Sequence, residues 1–116
     1  MKRFILVLLF LVFLVPIAYA DRNTSTIAAY NSSRTLVKLG GWKVYRVSFI
    51  ATSAKGSFAI YDSLTYAGNT ISTVKAEGQE ATAFDSKFYD FTNKPIEGST
   101  GLYLDVSHAT VILEYE

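Results

Sequence analysis

Short runs of β-branched and aromatic residues, separated by clusters of Gly, Asn, Asp and Ser, recur along most of this chain. Such runs are typical of β-strands joined by turns. Beyond the first twenty residues, no window of about 11 or more residues has its apolar side chains at the spacing of an amphipathic helix. The sequence therefore predicts an all-β fold of about seven or eight short strands. Strands and turns of this spacing favour an antiparallel two-sheet sandwich of jelly-roll or Ig-like type.

Alternation within the runs assigns side chains to faces. In the strongest predicted strand, residues 42–52, Val47 and Phe49 share one face. Trp42 and Val44 fall on the opposite face, so we predict a β-bulge near Tyr45 that restores a single apolar face. The other predicted strands cover residues 35–39, 57–61, 71–76, 84–91, 102–106 and 110–115, with residues 78–83 as a polar connection.

The N-terminal segment predicts the destination of the protein. Lys2 and Arg3 precede an unbroken apolar run over residues 4–15, which Pro16 ends. This order of charge, apolar run and break is typical of a secretory signal peptide. We therefore expect a secreted protein, extracellular or periplasmic, with residues 1–20 as the signal.

The predicted cleavage site is a small-x-small pattern. Ala18 and Ala20 supply it, so the mature chain is expected to begin at Asp21. A retained membrane anchor is the alternative, because residues 4–20 are about as long as the shortest membrane-spanning helices. After cleavage, residues 21–33 are polar and predict a flexible N-terminal arm, with an edge strand as the alternative. Residues 34–116 are predicted to form the sandwich domain.

Composition restricts the partners and the source of stability. The chain has no cysteine, so a packed core must stabilise the fold without disulfides. Its net charge is +1, and it has no polybasic cluster. A near-neutral surface gives no reason to expect binding to nucleic acid, or to a membrane once the signal is removed.

Residues that could carry catalysis are few. His108 is the single histidine, with Asp105 and Ser107 close by in sequence. Positions three apart on a strand point to opposite faces, so these residues predict a polar turn rather than a catalytic triad. We expect no enzymatic activity.

The carboxylates do not predict a metal site. They are scattered, without the alternating spacing of a compact calcium loop, so no metal and no cofactor is expected. A site assembled from separate loops, using Asp62, Asp85 and Asp90, stays open as an alternative.

Four residues are candidates for a ligand or partner surface. Aromatic rings beside charged side chains suit binding of a glycan or a protein. Tyr103 alternates with apolar Leu residues and is therefore expected to be exposed, whereas Tyr61 is expected to pack between the sheets. The candidate surface consists of Trp42, Arg46, Tyr103 and Asp105.

Two stretches carry a resemblance to a known group. One is Phe-Ala-Ile-Tyr-Asp at residues 58–62 with Ala-Gly-Asn-Thr-Ile at 67–71; the other is Gly-Leu-Tyr-Leu-Asp-Val at 101–106 with residues 110–115. Together they resemble small β-sandwich proteins of tailed-phage structural gene clusters, over about residues 44–116. The resemblance implies the fold and a virion or appendage role, and it transfers no site residue. The predicted export signal departs from that group, whose parts assemble in the cytoplasm.

Two functions follow as expectations. The first is a secreted, non-enzymatic structural or interaction protein: a surface, appendage or coat-like subunit that binds copies of itself or a protein partner. Residues 21–33 could then add to a neighbour's sheet. The alternative is a secreted carbohydrate- or ligand-binding module, because one fold can serve several functions.

Overall fold

Residues 25–116 are described by a computed structural model, as two antiparallel β-sheets packed into a sandwich. The strands are β1 (Thr26–Tyr30), β2 (Ser33–Leu39), β3 (Trp42–Ala51), β4 (Gly56–Asp62), β5 (Val74–Glu80), β6 (Ser86–Asp90), β7 (Ile96–Gly98), β8 (Gly101–Ser107) and β9 (Ala109–Tyr115). A 3₁₀ turn, Tyr66–Gly68, lies between β4 and β5. Within this range no helix has the length and apolar character needed to cross a membrane. The predicted all-β sandwich is confirmed, whereas the predicted signal peptide and its cleavage residues, Ala18, Ala20 and Asp21, lie outside the described residues.

The strand pairs are nested in sequence: β4 and β5 form the innermost pair, and each further pair joins strands that lie farther apart along the chain. β4 pairs with β5, β3 with β6 and β7, β2 with β8, and β1 with β9. The first sheet has the order β1-β9-β3-β6, with β7 also on β3, and the second sheet has the order β2-β8-β4-β5. Most connections therefore cross from one sheet to the other, and β8 and β9 occupy interior positions.

The core lies between the sheets and is built from alternate residues of the central strands. The Phe49 ring of the first sheet and the Phe58 ring of the second lie 5.2 Å apart, centre to centre. Tyr89 extends this contact, since its ring lies 5.7 Å from that of Phe58. The other large, fully buried side chains are Val44, Val47, Ile60, Leu102, Leu104, Val111 and Leu113.

The predicted bulge in β3 is confirmed. Opposite β9, the register of β3 shifts between Val44 and Arg46, so Tyr45 is the extra residue. The shift brings Trp42 and Val44 to the same face as Val47, and all three are buried. The bulge therefore turns a strand with two apolar phases into one continuous core face.

The strand predicted over residues 71–76 begins later in the structure. Thr73 ends a local turn: its hydroxyl donates to the backbone oxygen of Gly68 and accepts from the backbone N–H of Thr70. Ile71 lies within this turn and is 96% exposed. β5 covers Val74–Glu80, so its end extends into residues 78–83, for which a polar connection was predicted. The short strand β7 was not predicted.

The segment for which an arm was predicted contains a strand. Thr26–Tyr30 pairs with β9 along its whole length, with Ala28 opposite Leu113 and Ala29 opposite Ile112. The structure thus agrees with the edge-strand alternative, and Ser33 already begins β2. Local composition indicated an arm because the stabilising partner, β9, lies far away in the sequence.

Candidate functional site

The four residues of the predicted ligand surface do not form one surface. Arg46 lies on the outer face of the first sheet and Asp105 on the outer face of the second. Trp42 is only 3% exposed, because the bulge directs it into the core. Tyr103 does face outward but is 8% exposed, since it stands between its cross-strand neighbours Leu36 and Tyr61. The predicted exposure of Tyr103 is therefore wrong, and the buried Trp42 is not available to a ligand surface.

Trp42 instead belongs to a hydrogen-bonded cluster around Asp62. The indole N–H donates to Oδ1 of Asp62 over 3.1 Å. The backbone N–H groups of Thr100 and Gly101 donate to the same oxygen, over 2.9 and 3.1 Å, and that of Ser99 donates to Oδ2 over 3.3 Å. The carboxylate thus connects the start of β3, the end of β4 and the link between β7 and β8. It fastens the two sheets together at this end.

The protonation of Asp62 reflects these contacts. Burial alone would raise the pKa of its carboxyl, but the hydrogen bonds from Thr100, Gly101, Trp42 and Ser99 favour the charged form and lower the pKa overall. Gly98 is required beside it, because a Cβ there would lie 2.5 Å from both Asp62 Oδ1 and Trp42 Nε1. A carboxylate engaged by four donors is a structural anchor rather than a proton acceptor for catalysis.

Acid should weaken this anchor. Because the folded-state pKa of Asp62 lies below the unfolded value of about 3.9, its contribution to stability is complete above that value. It is lost as the pH falls through the folded-state pKa. We expect Asp62→Asn to lose less stability than the wild type between pH 5 and pH 2.5, measured by urea unfolding at each pH. Asp85→Asn, at an exposed carboxyl, is the control, and parallel pH profiles for wild type and Asp62→Asn would contradict the expectation.

The residues weighed for catalysis or metal binding lie apart. Asp62 is occupied as described, and the Asp90 carboxylate accepts from the hydroxyl and the backbone N–H of Thr92. His108 is exposed, at φ 51°, where the chain passes from β8 to β9. Within residues 25–116, no group of three or more His, Asp or Glu side chains is placed to hold a metal ion.

An apolar patch covers the outer face of the first sheet. Across neighbouring strands, Ala29 stands opposite Ile112, Ile112 opposite Ser48, and Ser48 opposite Phe88. Phe88 is 62% exposed, and Ile112 is also solvent-exposed. Ile27 and Ile50 lie on the same face, one on each side of this row of residues. We define the apolar patch as Ile27, Ala29, Ile50, Phe88 and Ile112.

A charged row borders the patch. Arg46 donates to the Glu114 carboxylate over 3.0 Å, and the Ser25 hydroxyl donates to the same carboxylate over 3.2 Å. Asp90 stands opposite Arg46 on β6. An apolar area with a polar border is the usual composition of a protein-binding surface. Arg46, predicted as part of a partner surface, thus lies at the edge of this one.

The second sheet carries a different surface, an open hollow of about 510 Å³. Ala59 forms its floor, because a small side chain there leaves space between Asp105 on β8 and Glu77 on β5. Arg34 lies 3.8 Å from Asp105, and its guanidinium also stacks on the Tyr66 ring at 3.9 Å. The hollow is therefore polar and charged, unlike the outer face of the first sheet.

Tyr61 also borders this hollow, and the structure corrects its expected position. It alternates with the core residues Phe58 and Ile60 and so points away from the core. Partial burial, followed by the negative charges of Asp105 and Glu77, raises the pKa of its phenol. The ring is therefore a neutral hydrogen-bonding group next to two carboxylates.

Sequence reasoning did not single out the apolar patch. Ile27, Phe88 and Ile112 lie on three different strands, and only the pairing of those strands brings them together. A weak signal was present, because each of them is out of phase with the core residues of its own strand. Comparison with protein-family models, curated proteins and solved structures gives no match.

Proposed function

We propose that this chain is a secreted, non-enzymatic structural protein: a surface, appendage or coat-like subunit that works by binding copies of itself. The observation that carries the proposal is the apolar patch. Its five side chains lie on one face of four paired strands, and all of them are solvent-accessible in the single chain. Apolar areas of this kind on soluble proteins commonly mark binding surfaces.

The strand arrangement supports the same proposal. We propose that the sandwich is a jelly roll rather than an Ig-like fold. The strand pairs are nested in sequence around the β4–β5 connection, and β6 and β7 both pair with β3 as one interrupted edge strand. A jelly roll has this pattern, because it corresponds to one long hairpin rolled into two sheets. Jelly rolls are common in viral coat proteins and in lectins. A virion-like or appendage role, which the sequence resemblance also implies, agrees with this class.

The test of self-association is native mass. We expect the purified protein to show a discrete dimer or larger assembly by light scattering, with a fraction that rises with concentration. Phe88→Lys places a charge in the patch and should reduce that fraction. Ile71→Lys is the matched control, because Ile71 is an exposed apolar residue outside the patch. It lies in the turn that precedes β5, a strand of the second sheet. A monomer at every concentration would refute the proposal.

A binding module for carbohydrates is the second candidate, and the polar hollow favours it. Sugars are recognised by planar polar side chains together with an aromatic ring, which here are Arg34, Glu77, Asp105 and Tyr61. Titration calorimetry against a panel of neutral oligosaccharides tests it. Binding that Glu77→Ala abolishes and Lys94→Ala leaves intact would support the module. Absence of binding to the whole panel would refute it.

A further inference from the structure

The open edges of the two sheets are not protected equally. An edge strand offers unpaired backbone N–H and C=O groups to other chains, and proteins usually protect such edges with charges, bulges or proline. β2 and β5 each have charged side chains and a register shift, and β6 has charges as well. The charged residues on these three edges are Arg34, Lys38, Lys75, Glu77, Glu80, Lys87 and Asp90. The remaining edge strand, β7, has three residues, contains Glu97 and follows Pro95.

β1 has none of these protections. Its sequence, Thr-Ile-Ala-Ala-Tyr over residues 26–30, contains no charge, proline or glycine, and its pairing with β9 has no register shift. In the described part of the chain, β9 is its one partner strand. Among the sheet edges of residues 25–116, β1 is therefore the edge most open to a further strand.

The side chains of β1 also suit pairing with themselves. In an antiparallel pair centred on Ala28, Ile27 of one copy stands opposite Ala29 of the other, and Thr26 stands opposite Tyr30. Each pair combines a large side chain with a smaller one. Ile27 and Ala29 both lie on the outer face, so no side chain has to change face.

Pairing of this kind would also extend the apolar patch. Ile27 is 70% exposed at the outer margin of the patch in the single chain. Across the twofold axis it would gain Ala29 of the second copy, and the two patches would become continuous. The backbone bonds and the apolar contact would therefore form together.

From these observations we infer that two copies of this chain join through β1, antiparallel about Ala28, so that their first sheets become one continuous sheet. The inference rests on the proposed function, since it names the partner and the contact used in self-association. It differs from face-to-face packing of the two patches, in which the β1 edges would stay apart.

Site-directed cross-linking tests the inference, because the chain has no cysteine of its own. In the proposed pair the two Ala28 Cα atoms would lie about 4.5–5.5 Å apart, within the range of a disulfide. Under mild oxidation, Ala28→Cys should give a covalent dimer on a non-reducing gel. Gln79→Cys, an exposed residue on the edge strand β5, is the matched control and should stay monomeric.

A second variant keeps the inference testable if Ala28→Cys folds poorly. Thr26→Lys adds a charge to the β1 edge outside the apolar patch and should raise the dimer dissociation constant about tenfold or more, whereas Ile71→Lys should not. The β1 contact would be refuted by an oligomer that tolerates Thr26→Lys and gives no cross-link in the Ala28→Cys variant. If Phe88→Lys weakens that same oligomer, the proposed function is left intact. A monomer at all concentrations would refute both.

Discussion

Asp62→Ala is expected to lower the free energy of unfolding by about 2–4 kcal/mol. The substitution removes the acceptor for the Trp42 indole and for the backbone N–H groups of Ser99, Thr100 and Gly101. Donors that lose a charged acceptor in a partly buried place incur a desolvation penalty that water only partly relieves. Urea unfolding at pH 7, monitored by the fluorescence of the single tryptophan, measures the change.

Two variants separate the anchor from the loss of a charge. Asp62→Asn keeps an oxygen acceptor at the same position and should lose less than Asp62→Ala. Asp85→Ala, at an exposed carboxylate, should change the unfolding free energy by less than about 0.5 kcal/mol. Equal losses for Asp62→Ala and Asp85→Ala would show that the cluster does not fasten the sheets.

Phe49→Ala is expected to lower the free energy of unfolding by about 3–5 kcal/mol, the usual range for a fully buried phenylalanine. The ring packs on Phe58 across the sandwich, at 5.2 Å between centres, so its removal leaves a cavity between two sheets. The cavity cannot close easily, because strands on both sides are tied to their neighbours. Chemical unfolding at low protein concentration measures this loss.

The control for Phe49→Ala is another phenylalanine of the same sheet. Phe88→Ala removes an exposed ring from the outer face and should change stability by less than about 0.5 kcal/mol in the monomer. If both substitutions destabilised the chain equally, the assignment of inner and outer faces in the first sheet would be wrong.

Alternation predicted the fold class and many strand positions. It located β3, β4, β8 and β9 within one or two residues, because these strands carry the core and show a clear apolar phase. The bulge at Tyr45 followed from the same signal, since only an extra residue reconciles Trp42 and Val44 with Val47. Strands with weak alternation were placed less well: β5 begins after a turn held by threonine hydroxyls, and β7 has only three residues.

The candidate surfaces depended on information that no single strand contains. Ile27, Phe88 and Ile112 become neighbours only through the register of β1, β6 and β9 across the first sheet. Tyr103 has the alternation of an exposed residue, but it is buried by Leu36 and Tyr61 on adjacent strands. Cross-strand neighbours are set by topology, which periodicity along one strand does not determine.

The interior position of the last two strands affects when the protein can fold. β8 lies between β2 and β4, and β9 lies between β1 and β3, so each sheet lacks a central strand until residues 101–115 are present. A nascent chain that has reached residue 100 could form the β4–β5 hairpin and the pairing of β3 with β6, but it could complete neither sheet. Folding of both sheets must therefore follow synthesis of residues 101–115, and the apolar strands made earlier stay without these partners until then.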